Sequence, residues 1–302
     1  MKKSRKPEIG FPNAPFKPAK LSDWLELQAI SSSNGRASAG ALERELKRLG
    51  CGGIEAEGLI GNVLTEVDNR KQAAGDVAYP FLREPSSIKL NGKPKDYPAY
   101  VFCLGLSFFS WKIRKGVQET PWLLFEQLAG HSARGYLGGE VEVFGTSTRE
   151  GSPGKQHFVD KVNRLSTNLR EGQGFKPQRT FSTKDAKLDI VAWKPFRDQR
   201  ASQVILFGQC AGGWNWTSKL TELEPEGFWD QWVEGGKVSQ LMRSVFIPHR
   251  VFDTDEWDKH ARAARLLFDR CRIAASAHDS IRTAPLGKKL LRCCQKEWNI
   301  AV

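Results

Sequence analysis

Residues 188–210 decide the fold, and they read LDIVAWKPFRDQRASQVILFGQC. Two apolar runs, at 188–193 and 203–210, flank a linker of turn-forming residues. Short runs rich in Val, Ile and aromatic residues between turn signals are typical of buried strands, so this stretch is predicted to form a β-hairpin. Asp189 lies inside the first apolar run. A carboxylate there is costly to bury unless it is paired or binds a cation.

The elements around the hairpin follow a regular order. Residues 156–170 are predicted to be an amphipathic helix, because their apolar side chains recur at helical spacing. Residues 175–181 are a weaker strand candidate. Beyond the hairpin, 214–236 reads as an interrupted helix and 245–248 as a short strand. The predicted order is therefore helix, three strands, helix and strand, followed by a C-terminal helix.

The rest of the chain divides into two regions. Residues 1–20 carry six Lys or Arg against one Glu, which predicts a flexible basic arm. Residues 21–150 read as a mainly helical region, and a polar loop at 145–154 marks its boundary. Residues 151–302 would then form the second module with its C-terminal helices. The predicted fold class is α+β.

Composition narrows the class of protein. The 302 residues are 40% hydrophobic and carry a net charge of +12, which excludes a disordered tail. The six cysteines show no disulfide or zinc spacing, and the longest apolar run, 99–111, is too short to span a bilayer. We expect a cytoplasmic protein without a membrane segment. Its positive charge favours nucleic acid as the partner.

The segment 155–250 resembles the PD-(D/E)XK nuclease superfamily, which has the restriction-endonuclease-like fold. The core of that family is αβββαβ, with an acid on the second strand and an acid-x-lysine motif on the third. Here the acid corresponds to Asp189 and the motif to Gln209-Cys210-Ala211. Glutamine replaces the third-strand acid in some members, and its amide oxygen can coordinate Mg²⁺. Ala211 departs from the pattern, because it removes the lysine that would position the attacking water.

Other residues are candidates to complete the site. Lys161 lies at the edge of the buried stripe of its helix, about 60° from Phe158 at about 100° per residue, and Lys219 follows Gln209 in the next element. Either could replace the lysine, although both also fit solvated surface charges. Glu142, in the EVEVF stretch at 140–144, is the candidate for a further acid, and a solvated strand face explains it equally well.

The resemblance implies a DNA endonuclease that depends on Mg²⁺ or Mn²⁺. Asp189, Gln209 and Glu142 would hold the metal, and Lys161 or Lys219 would orient the attacking water. By association, the family also implies a bacterial antiphage-defence or mobile-element role with a partner ATPase or helicase. The alternative is a catalytically inactive DNA-binding or scaffolding subunit that kept the fold. A purely protein-binding factor would instead scatter its basic residues away from the hairpin.

Overall fold

The computed structural model describes residues 9–109, 120–144, 155–178 and 187–302. Within these ranges the chain forms ten α-helices, a three-stranded antiparallel sheet and a five-stranded mixed sheet, which confirms the α+β class. The chain divides into two compact units. The first contains residues 1–111, 248–256 and 269–302, and the second contains 112–247 and 257–268. This division differs from the single boundary near residue 150 expected from the polar loop.

The elements follow one another along the chain in the following order: α1 Pro18–Ser31, β1 Arg36–Ser38, α2 Ala39–Arg48, α3 Gly53–Ala74, β2 Phe81–Glu84, β3 Ser87–Leu90, α4 Pro98–Phe108, α5 Pro121–Leu137, β4 Glu140–Val143, α6 Lys155–Leu169, β5 Ile190–Lys194, β6 Val204–Cys210, α7 Pro225–Trp232, β7 Leu241–Phe246, α8 Thr254–Ala264, β8 Leu266–Phe268, α9 Arg270–Thr283 and α10 Pro285–Trp298.

The first unit packs helices around α4, whose apolar residues are almost all buried. Strands β1, β3 and β2 form the small sheet, in that order. The sequence did not predict this sheet, because its strands are only three or four residues long and show no clear alternation. A network of buried charges links α1, α3 and α9 inside the unit. At its centre the Arg70 guanidinium pairs with Asp23, Glu26 and Glu66.

The described part of the predicted basic arm packs against the first unit. The Phe11 ring lies 4.9 Å from that of Trp24, measured between centroids. The Lys20 ammonium donates a hydrogen bond of 2.7 Å to the carbonyl of Ser107. Phe11 and Lys20 therefore have defined partners, and burial lowers the pKa of Lys20 to about 8 despite the opposing charge of Asp23.

The second unit is built on the five-stranded sheet, in the order β4-β5-β6-β7-β8. Strand β5 pairs antiparallel with both neighbours, whereas β6, β7 and β8 pair in parallel. The apolar stripe of α6 packs with α7 against one face of this sheet, as its spacing predicted. The core there includes Phe158, Val162, Leu165, Leu169, Val191, Trp193, Ile205, Phe207, Phe228, Trp229 and Trp232.

Two elements of the second unit differ from the sequence prediction. Residues 175–178 form only an isolated bridge, between Phe175 and Val233, and 179–181 lie outside the described residues. The first strand of the sheet is instead β4, which precedes α6. At the other edge, Arg265 adopts φ +66° and ends α8, so the next three residues form β8 rather than another helical turn.

None of the helices in the described ranges is both long and apolar enough to cross a membrane.

Candidate functional site

Asp189 lies immediately before β5, at the end of the sheet where β4 and β6 finish. Its Oδ2 atom accepts a hydrogen bond of 2.7 Å from the backbone amide of Cys210. Its own amide donates to the carbonyl of Gly208, and its carbonyl accepts from the amide of Phe144. These contacts with the backbone of both neighbouring strands fix the position of the Asp189 carboxylate.

Gln209 is connected to Lys219 through a residue that the sequence analysis missed. The Gln209 side-chain amide donates a hydrogen bond of 3.0 Å to Glu222. The other oxygen of Glu222 accepts one of 2.7 Å from the Lys219 ammonium. Glu222 lies between β6 and α7, in the first part of the interrupted helix predicted for 214–236, where the structure has only a short 3-10 helix, Trp216–Lys219. The only sequence signal was its spacing of three residues from Lys219, which is common on protein surfaces.

The pKa of Asp189 depends on the charge of Lys219, which connects Asp189 electrostatically with Lys219, Glu222 and Gln209. Burial raises the pKa of its carboxyl from 3.8 to about 7, while the Cys210 amide and the positive charge of Lys219 act in the opposite direction. For Glu222, hydrogen bonds from Lys219 and Gln209 outweigh the effect of burial, and its pKa is lowered. Asp189, Gln209, Lys219 and Glu222 form one group, which we call the hairpin cluster. Perturbed carboxylates of this kind concentrate at functional sites.

Two predicted site residues have different partners. The Lys161 ammonium donates to the carbonyls of Val143, at 3.1 Å, and of Phe144. Lys161 therefore lies at the end of β4, one strand away from Asp189. Glu142 accepts a hydrogen bond of 2.8 Å from Arg164 of α6, and its second oxygen is buried without a hydrogen-bond partner among the described residues. The partners in these contacts, Val143, Phe144 and Arg164, are not members of the hairpin cluster.

A cleft of about 200 Å³ opens beside the hairpin cluster, between α5 and the end of β6. Trp122 and Glu126 of α5 line one side, and Lys219 and residues 210–213 line the other. Gly212 is required by the close approach of α5, because a Cβ atom at this position would overlap the Trp122 ring. Glu126 is 7% exposed. In the sequence, the spacing of four residues between Trp122 and Glu126 in a helix indicated that both side chains lie on the same side of it.

The oxygen atoms at this site fit a hard cation only in part. Nowhere in the described ranges do three or more His, Cys, Asp or Glu side chains lie together as a metal-binding group. Gln209 nevertheless has a buried Oε1 atom with no hydrogen-bond partner in those ranges, and Asp189 supplies a carboxylate beside it in the neighbouring strand. Amide and carboxylate oxygens are the ligands that Mg²⁺ accepts. Asp189 and Gln209 are thus the residues that would hold such an ion.

The two tryptophans that follow β6 have different surroundings. Trp214 is 62% exposed. Trp216 packs edge-on against His260, with 4.7 Å between ring centroids. Trp214 therefore retains the exposed ring that stacking on a base requires.

Comparison with known proteins gives no relative: no family model, curated protein or solved structure matches the chain.

Proposed function

We propose that this protein is a nuclease that hydrolyses DNA phosphodiester bonds with the help of Mg²⁺ or Mn²⁺. The observation that carries the proposal is the hairpin cluster. It combines a carboxylate with a raised pKa, an amide oxygen that has no hydrogen-bond partner in the described ranges, and an ammonium group near one end of two adjacent strands. The net charge of +12 is consistent with a polyanionic substrate.

The order of elements in the second unit supports the proposal. With α5 as the first helix, the series α5, β4, β5, β6, α7, β7 has the helix, three strands, helix, strand order of the restriction-endonuclease-like core, with α6 as an insertion. In this correspondence Asp189, immediately before the second strand, and Gln209, near the end of the third, would take the positions of the two acids of the family. Glu126 occupies the first helix, where that family often carries a further acid. It fits this position better than Glu142, whose carboxylate binds Arg164.

Each residue of the cluster has a distinct role in this proposal. Asp189 and Gln209 would hold the cation, which would neutralise charge on the phosphate and lower the pKa of bound water. Lys219, held by Glu222, would take the position left open by Ala211 and orient the attacking water. Because the pKa of Asp189 is about 7 with Lys219 in place, a bound cation would shift the carboxylate to its charged form at neutral pH.

The direct test is incubation of the purified chain with supercoiled plasmid in Mg²⁺, Mn²⁺ or EDTA. We expect nicked or linear product with either cation and none in EDTA. The assay is repeated with candidate partner ATPases or helicases, since such a partner remains a prediction. Absence of metal-dependent cleavage in all of these mixtures would reject the nuclease.

A non-catalytic DNA-binding subunit is the second candidate, and Ala211 favours it. Ala211 is 4% exposed, and it stands at the position where the family carries its lysine, so that position supplies no ammonium group. A scaffold of this kind would bind DNA in the same assay without cleaving it. Binding that persists in EDTA, with no cleavage in either metal, would support this candidate over the nuclease.

A further inference from the structure

A second cleft in the second unit lies at the opposite end of β5 from the hairpin cluster. It measures about 360 Å³ and is formed by α6, the first residues of β4 and the turn between β5 and β6. From Asp189 to Trp193 the strand advances about 13 Å, at about 3.3 Å per residue. This cleft, which we call the turn cleft, is therefore separate from the site of the proposed nuclease. Its lining includes Arg170, Trp193, Phe196, Arg200 and Gln203.

Gln203 supplies an unsatisfied acceptor in the turn cleft. The residue is 8% exposed, and its side-chain amide donates a hydrogen bond of 2.6 Å to the carbonyl of Leu169. Its Oε1 atom is buried and has no hydrogen-bond partner in the described ranges. A buried acceptor left without a donor costs free energy, so a small movement that exposed Gln203 Oε1 to an N–H group of a ligand in the cleft would be favoured by pairing with it.

An exposed aromatic ring and the guanidinium group of Arg170 also line the turn cleft. Phe196 is 63% exposed, and the buried Trp193, near the end of β5, also lines the cleft. Arg170 is held by hydrogen bonds to Gln199, through the backbone carbonyl at 2.5 Å and through the side chain. A guanidinium group has five N–H donors, so Arg170 keeps donors for a ligand.

The charge balance of the turn cleft favours an anion. The residues that line the cleft include two with a positive charge, Arg170 and Arg200, and one with a negative charge, Glu140. The net charge of the lining is therefore +1. Both Arg170 and Gln199 adopt positive φ, at 58° and 59°. Non-glycine residues seldom adopt this conformation, because it costs energy.

We propose that the turn cleft binds a nucleotide. The base would stack on Phe196 and donate an N–H group to Gln203 Oε1, as the exocyclic amines of adenine and cytosine can. The phosphate would lie against Arg170 and Arg200, since guanidinium groups match phosphate oxygens in geometry and charge. The ligand is either a free nucleotide or one nucleotide of a single strand, because both present the same chemistry. This proposal does not depend on the proposed nuclease.

The test measures binding to the full-length protein by calorimetry in EDTA, so that no cleavage occurs. The ligands are AMP, purine riboside monophosphate, which lacks the exocyclic amine, and a short oligoadenylate DNA strand. We expect Phe196→Ala to weaken binding at least about fivefold, the lower range for loss of base stacking. Arg200→Gln should weaken it about tenfold, as expected for one charge-assisted hydrogen bond. The amine-free nucleotide should bind about tenfold more weakly than AMP.

Arg197→Gln is the matched control, because Arg197 lies in the same turn and does not line the cleft. Its affinity should stay within about twofold of the parent, since it removes the same charge without a direct contact. Binding of AMP with the expected losses supports a free nucleotide as the ligand. Binding of the oligonucleotide alone, with the same losses, supports a strand. Unchanged affinity in both cleft variants, or an equal loss in Arg197→Gln, would overturn the proposal.

Discussion

The carboxylate of Asp189 accepts a 2.7 Å hydrogen bond from the backbone amide of Cys210, the last residue of the neighbouring strand. This bond holds the carboxylate of Asp189, which lies immediately before β5, at the end of the neighbouring strand β6. It also favours the ionised carboxylate, but the effect of burial is larger, and the pKa is raised to about 7. Asp189 is thus held in place and remains sensitive to any added charge.

The raised pKa of Asp189 predicts how stability changes with pH. Between about pH 4 and pH 7 the folded protein keeps a proton on Asp189 that the unfolded chain has lost, since the unfolded pKa is near 3.8. The free energy of unfolding should therefore fall as pH rises through this window. Asp189→Asn should remove this contribution and be more stable than the parent above pH 7, when both are unfolded by urea in EDTA. An identical pH dependence in the two proteins would contradict the raised pKa.

Lys219 should control the same titration. Its positive charge lowers the pKa of Asp189, so Lys219→Met should raise that pKa further and move the stability change to higher pH. In a cleavage assay the same variant should be slower by about 100-fold or more, if Lys219 orients the attacking water. Lys259→Met, an exposed change in α8, is the control and should alter neither quantity. Parental cleavage by Lys219→Met would remove Lys219 from the proposed mechanism.

Glu126 and Glu142 are rival candidates for the further acid of the site. Glu126 lines the cleft beside Lys219, whereas Glu142 is paired with Arg164. We expect Glu126→Gln to reduce metal-dependent cleavage about 10-fold or more, because it removes a charge next to the cation. Glu142→Gln should leave the rate within a factor of about three, by the same principle. The reverse order of the two rates would restore Glu142, the acid predicted from the sequence.

How much of this site could be predicted from the sequence depends on the element. Strands β5 and β6 were recognised because their apolar runs are continuous, and the helix α6 because its stripe is regular. Glu222 was missed, since its contacts with Gln209 and Lys219 are made in an irregular segment. Strand β8 was missed because Leu266–Phe268 continues the apolar pattern of α8, and only the positive φ of Arg265 ends that helix.

The division of the chain into two units could not be predicted from the sequence, for a different reason. Residues 248–256 and 269–302 belong to the first unit, although the former lie between the two segments of the second unit in sequence and the latter follow both of them. Local patterns describe helices and strands but carry no information about which distant segments share a core. Arg270 provides an example, because its buried side chain pairs with Asp23, nearly the whole length of the chain away.

The buried charges of the first unit predict a large difference between two arginines. Arg70→Met should lower the free energy of unfolding by about 3–5 kcal/mol, because Asp23, Glu26 and Glu66 would lose their shared cation in a buried site. Arg48→Met breaks the exposed pair with Glu45 and should cost at most about 1 kcal/mol. Urea denaturation measures both. Equal losses would show that the Arg70 network does not stabilise the fold.

The most direct measurement is metal-dependent plasmid cleavage by Asp189→Asn beside the parent protein. The matched control is Asp198→Asn, which makes the same change at an exposed position in the turn of the same hairpin. We predict that Asp189→Asn loses cleavage in both Mg²⁺ and Mn²⁺ while it keeps DNA binding and folding, and that Asp198→Asn cleaves at the parental rate. Parental cleavage by Asp189→Asn, in preparations free of contaminating nuclease, would contradict the central role of this carboxylate.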